Sequence, residues 1–132
     1  MENMGKNGIR SCFIALLLML TSGGAVCAAV TGGDLLRACG ATVKQQDGIG
    51  ISATESAEAI WCIGYISGLL DAIGLAPPKV QGKQALCLPP NGINNEQAIR
   101  LIVKWLRENP EGLHQSGRME AVIALSKAFP CN

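Results

Sequence analysis

The chain of 132 residues has one histidine, His114, and that scarcity removes several kinds of chemistry together. There is no paired Cys-x-x-Cys and no Cys-x-x-Cys-His, so neither a thiolate zinc site nor covalently attached haem is expected. No metal triad and no glycine-rich phosphate loop is present, and no cofactor is expected. A general base needs a nucleophile or an acid placed beside it. Ser116 and Glu111 lie near His114 in the sequence, but neither spacing is a known nucleophile–base arrangement, so catalysis is not expected. Asp71, at the end of an otherwise uncharged stretch, is the most unusual acid. It is expected to bond backbone or pair with a lysine rather than to act on a substrate.

A run of basic residues is missing too. Lys6 and Arg10 precede the apolar stretch Cys12–Leu20, and small residues follow at Ser22–Ala29. A charged start, a short greasy core and a small-residue exit read as a secretory signal peptide over residues 1–29, cleaved after Ala28 or Ala29. The run is too short to span a bilayer. Lipid attachment at Cys27 fits poorly, because Val26 is large for that processing. What remains, residues 30–132, carries nine basic and nine acidic side chains. A near-neutral chain without a basic block argues against nucleic acid or an anionic membrane surface as partner.

Four cysteines stay in that part: Cys39, Cys62, Cys87 and Cys131. An even number in an exported chain of this size reads as two disulfides.

The remaining pattern is helical. The longest candidate runs from about Thr54 to Leu75, with no charge between Glu58 and Asp71. Its apolar residues Ile60, Trp61, Ile63, Ile66, Leu69, Leu70 and Ile73 fall on nearly every side of a helical wheel, which predicts burial all round. At 22 residues it would be a rod roughly 33 Å long, the central element of a small domain. Ser52-Ala53-Thr54-Glu55 has capping-box spacing at its start, and Gly74, Pro77 and Pro78 mark its end. Gly64 and Gly68 are four apart and share a face, where another backbone can approach closely. That backbone could be a neighbouring helix of the same chain or a helix of a second subunit.

Around this rod the sequence predicts a short helix from Leu35 to Ala41, capped by Thr31 or Asp34, and an exposed loop from Thr42 to Ile51. A third helix spans roughly Glu96 to Glu108, capped by Asn94 or Asn95, with Ile99, Ile102, Val103 and Leu106 at helical spacing and Trp105 at the stripe's edge. Asn109-Pro110 starts a fourth, about Glu111 to Ala128. No segment alternates strictly enough to be a strand, so the fold is expected to be an all-α compact bundle of four to five helices. Between the central and third helices, Ala76–Ala85 has no helical periodicity and must be displayed at the surface. It is either a solvated connector or a recognition loop. In the second case Lys79, Val80, Gln81 and Lys83 are its contact residues. Helix order selects among the three possible cysteine pairings. The first two helices should run antiparallel, as should the last two, which gives Cys39–Cys62 and Cys87–Cys131.

Leu35-Leu36-Arg37-Ala38-Cys39, Cys62-Ile63-Gly64-Tyr65-Ile66-Ser67-Gly68, Cys87-Leu88-Pro89 and Ala128-Phe129-Pro130-Cys131, taken in order, resemble the Rap/Tai immunity family of type VI secretion. The resemblance covers nearly everything after the leader. It implies a periplasmic all-α protein, often a homodimer, that binds a cognate peptidoglycan amidase effector and occludes its active site by direct contact. With catalytic groups sparse and the leader removed, no enzymatic activity of the chain's own and no stable membrane association are expected. The resemblance does not carry contact residues across one by one. A periplasmic stress chaperone or structural helper is the rival expectation, and it would show broad client binding and exposed apolar surface.

Overall fold

The structure, a computed structural model, describes residues 29–131. The signal-peptide reading falls on residues 1–29 and lies, but for Ala29, outside the described residues. Four α-helices make up the body: α1 (Gly32–Gln46), α2 (Ala53–Leu75), α3 (Asn95–Glu108) and α4 (Gly117–Ala128). A short hairpin, β1 (Lys79–Val80) and β2 (Lys83–Gln84), joins α2 to α3, and a 3-10 turn (Pro110–His114) joins α3 to α4.

α1 is twice the expected length. Thr31 and Asp34 form a reciprocal capping box at its start, so both candidate caps take part. The helix continues through Thr42, which had been expected to open a loop. Thr42 is buried, and its single hydroxyl proton is shared between Ala38 O and Ala59 O of α2, both at 3.3 Å. A β-branched polar residue with two carbonyl acceptors loses its reason to end a helix.

α1 runs antiparallel to the first part of α2. Moving up one helix and down the other, Arg37 meets Glu58 at 2.8 Å, Cys39 is disulfide-bonded to Cys62, Thr42 meets Ala59, and Lys44 meets Glu55 at 2.9 Å. The Ser52–Glu55 capping box fixes the start of α2. Backbone donation from Ser52, with Lys44 beside it, holds the Glu55 carboxyl at about 2.

The core lies among α1, one side of α2, α3 and α4: Leu35, Cys39, Cys62, Ile66, Ile99, Ile102, Leu106 and Leu125 are fully buried. α3 matches its expected stripe, with Asn94 accepting from Gln97 N at 2.8 Å as the cap. α4 departs from expectation. The segment from Glu111 is a 3-10 turn, and a true helix starts only at Gly117. The break has a cause in the packing of the segment that precedes α1. Gly117 N donates to Val30 O and Gly32 N donates to Gln115 O, at 2.8 and 3.0 Å, so the chain at Gln115–Ser116 is extended against Thr31. A Cβ at Gly117 would stand 2.8 Å from Thr31 O, which is why glycine occupies that crossing.

The burial expected around α2 is not found. Ala59, Cys62, Ile66 and Ile73 are its buried positions, while Ile60 and Leu75 are 72% and 89% exposed. α2 is apolar all round, yet it is packed on one side only.

Candidate functional site

Both disulfides pair as helix order required. Cys39–Cys62 spans 5.2 Å between Cα atoms and Cys87–Cys131 spans 5.0 Å. The first is fully buried between α1 and α2. The second ties the segment that follows the hairpin to the end of α4.

The loop Ala76–Ala85, expected to lack regular structure, forms a two-stranded antiparallel hairpin with Lys79 opposite Gln84 and Val80 opposite Lys83. Two-residue strands are too short to show alternation, so no sequence pattern announces them. The turn residues do carry a signal. Gln81 and Gly82 both have positive φ, 51° and 77°. That is the turn which matches the twist of paired strands, and a glycine at its second centre favours it. Gln81 is the only described non-glycine residue with positive φ. A side chain held in this region costs free energy and persists where its surroundings fix it.

The hairpin's base is tied down in three ways. Ala85 N donates to Pro78 O at 2.8 Å, and Gln84 Nε2 donates to Leu86 O at 2.8 Å. Leu86 is buried in the core. Next to it, Cys87 N donates to Phe129 O at 3.0 Å and the Cys87–Cys131 bridge closes the ring. Beyond this base Lys79, Val80, Gln81 and Lys83 are all exposed, with Val80 at 62%. Among the described residues neither lysine has an ion-pair partner, whereas Arg37, Lys44, Arg100 and Lys104 all do.

α2 and α4 both pack on the other helices but barely touch each other, leaving a groove of about 800 Å³ between them. Its walls are Leu69, Ala72 and Ile73 of α2, and Val122 and Ile123 of α4. Lys79 and Val80 of the hairpin close one end. The other candidates are placed elsewhere. Gly64 and Gly68 lie on the outer side of α2, where no described atom comes within 4 Å of a Cβ built on either. They are not a seat for another helix of the same chain. Asp71, on the same side, makes no hydrogen bond or ion pair among the described residues, contrary to the expected partner. His114 is exposed at the end of the 3-10 turn, with no hydrogen bond to Ser116 or Glu111 among the described residues.

Sequence reasoning missed Glu120. It is buried at 7% exposure and accepts a 2.9 Å hydrogen bond from Trp105 Nε1. A Cβ at Gly112 would stand 2.5 Å from its carboxylate, so that glycine makes room for it. This pair ties the edge of α3 to α4 and the 3-10 turn. Trp105 is therefore a structural residue, as its place at the stripe's edge implied.

The family described as Rap1a immunity proteins matches the chain over residues 31–131. Neither the curated proteins nor the solved structures contain a match.

Proposed function

The chain belongs to the Rap1a immunity protein family, and from that premise we propose that it is a periplasmic immunity protein which binds and occludes a peptidoglycan amidase delivered by type VI secretion. The contact element in this reading is the hairpin, through Lys79, Val80, Gln81 and Lys83.

The observation that carries the reading is the hairpin's construction. A crosslinked base, a buried Leu86 and a turn with two positive-φ residues hold a four-residue tip out from the body. Ordering a loop on binding costs free energy, and here that ordering accompanies folding instead. Unpaired lysines at the rim of an interface speed and orient association with an acidic partner. Occlusion needs no chemistry from the inhibitor, only a rigid shape that a cleft accepts.

Coexpression in the periplasm with the amidase tests the reading directly. The wild-type chain should restore growth. Lys79→Glu/Lys83→Glu should lose protection while its melting temperature stays unchanged, since both side chains are exposed. Full protection by that variant would remove the hairpin from the contact.

Export underlies this reading. Two disulfides suit an oxidising compartment, and the Lys6-to-Ala29 pattern is that of a cleaved leader. A homodimer belongs to it as well. Ile60 and Leu75 flank the small-residue patch at Gly64 and Gly68, with Asp71 as the single charge on that side, a shape that accepts a second copy of α2 crossing at the glycines. Ile60→Asp/Leu75→Asp should then sediment as a monomer where the wild type sediments as a dimer. A monomeric wild type would leave this apolar face to the rival reading, a periplasmic chaperone, which would recover many unrelated proteins in a pull-down.

A further inference from the structure

We propose that the groove between α2 and α4 docks an amphipathic helix of a protein partner, apolar along its length and acidic at both ends. The inference deepens the immunity reading and rests on it for who the partner is: the toxin would carry the helix.

Area is the first reason. A stable interface buries roughly 800 Å² on each partner, from some 20–30 residues. A hairpin of a few exposed side chains falls well short of that, so a second surface must join it. The groove adjoins the hairpin and shares Lys79 and Val80 with it. A partner seated on one already touches the other.

Shape and charge say what fits. The walls are aliphatic, and the volume of about 800 Å³ suits a helix laid lengthwise rather than a single side chain. No acid lines the groove, but Lys79, Arg118 and Lys127 do, and none of them has an ion-pair partner among the described residues. Arg118 stands in the first turn of α4, on the side of Tyr65, whose phenol is raised by burial and drawn back by that guanidinium. Lys127 stands in the last turn and lines the same groove as the hairpin's Lys79. Nine helical positions separate Arg118 and Lys127, roughly 14 Å along the axis and half a turn around it, and two acids nine positions apart on a helix are offset in the same way. A fatty acid has one charged end and would satisfy one of these sites. Positive charge at both ends matches two acids carried about nine residues apart on a helix.

The probe is a synthetic helical peptide of about 16 residues, long enough to hold a helix. It carries leucines at i, i+3, i+4 and i+7 and glutamates near both ends. A companion has lysines in place of the glutamates. Fluorescence anisotropy on the oxidised full chain should find the glutamate peptide bound about tenfold more tightly than the lysine peptide. Arg118→Glu/Lys127→Glu should invert that preference. Equal affinity for the two peptides, or none for either, overturns the proposal; the wild-type comparison needs no variant to fold. Oleate binding without peptide binding would make the groove a lipid site instead. Loss of self-association in the charge-reversed chain would give it to a second copy. No toxin enters the assay, so its failure leaves the immunity reading to the coexpression test.

Discussion

The two disulfides should not contribute equally, and loop length alone gives the wrong order. Cys39–Cys62 closes 23 positions and Cys87–Cys131 closes 44. Restricting the unfolded chain this way is worth about 3 and about 4 kcal/mol respectively. On that ground the second bridge would matter more. The sulfurs themselves reverse the ranking. Cys39 and Cys62 are both fully buried in the core, while Cys87 is exposed at the surface. Alanine at both core positions deletes two packed atoms that the helices cannot close over, at about 1 kcal/mol each. Cys39→Ala/Cys62→Ala should therefore cost about 5 kcal/mol, and Cys87→Ala/Cys131→Ala about 4 kcal/mol. Urea unfolding monitored by circular dichroism measures both, and the slope should rise in each because the freed chain expands further. Reducing the Cys87→Ala/Cys131→Ala protein separates the terms. It breaks the core bridge but keeps its sulfurs, so it should lose about 3 kcal/mol more rather than 5. If the surface pair proves the costlier by 1 kcal/mol or more, the burial argument is wrong and chain entropy alone decides.

Two further outcomes follow from the packing and the charges. Gly117→Ala should destabilise by about 1–3 kcal/mol in the same urea assay, because the new methyl would meet Thr31 O, a backbone atom that cannot swing aside; an unchanged midpoint would mean that the segment at Val30–Thr31 moves freely. Glu55 has a carboxyl depressed to about 2 in the folded chain, from an ordinary value near 4.5. Its contribution is full above about pH 4.5 and fades as pH falls toward 2, so the wild-type melting temperature should drop across that window and Glu55→Gln should drop less. The group is exposed, so the effect is small, and identical pH profiles would show that the capping box holds equally well with a neutral side chain.

Where the sequence could be read, the reason is local. The bounds of α2 came from Ser52, Glu55 and the prolines beyond Leu75, which act within a turn of the chain. The disulfide pairing came from helix order, which needs only that consecutive helices run antiparallel. What could not be read depends on distant partners. Thr42 stays helical because Ala59 O, 17 positions on, accepts its hydroxyl. The break before Gly117 comes from Val30, which lies far earlier in the chain. The outer face of α2 was misread because apolar composition records what a surface can bury against, and the covering element need not belong to the same chain. For the candidate site, Ala76–Ala85 was legible as a proline- and glycine-bounded surface stretch, and its tip is exposed. Its hairpin form was not, since the one informative cue was the glycine after Gln81. The groove was invisible in the sequence, because its walls are ordinary helix residues that only the packing of α2 and α4 sets apart.

The chain has two tryptophans, and the fold gives them different duties as optical reporters. Trp61 stacks on Tyr65 at 5.1 Å between ring centroids, half open to solvent on α2, whereas Trp105 is hydrogen-bonded to Glu120 between helices. Emission from the first should shift to the blue when another molecule covers that flank, while the second stays constant until the interior comes apart. Trp61→Phe would leave an unfolding signal alone, and subtracting it from the wild-type spectrum would give a label-free titration of whatever covers the flank of α2 that carries Trp61.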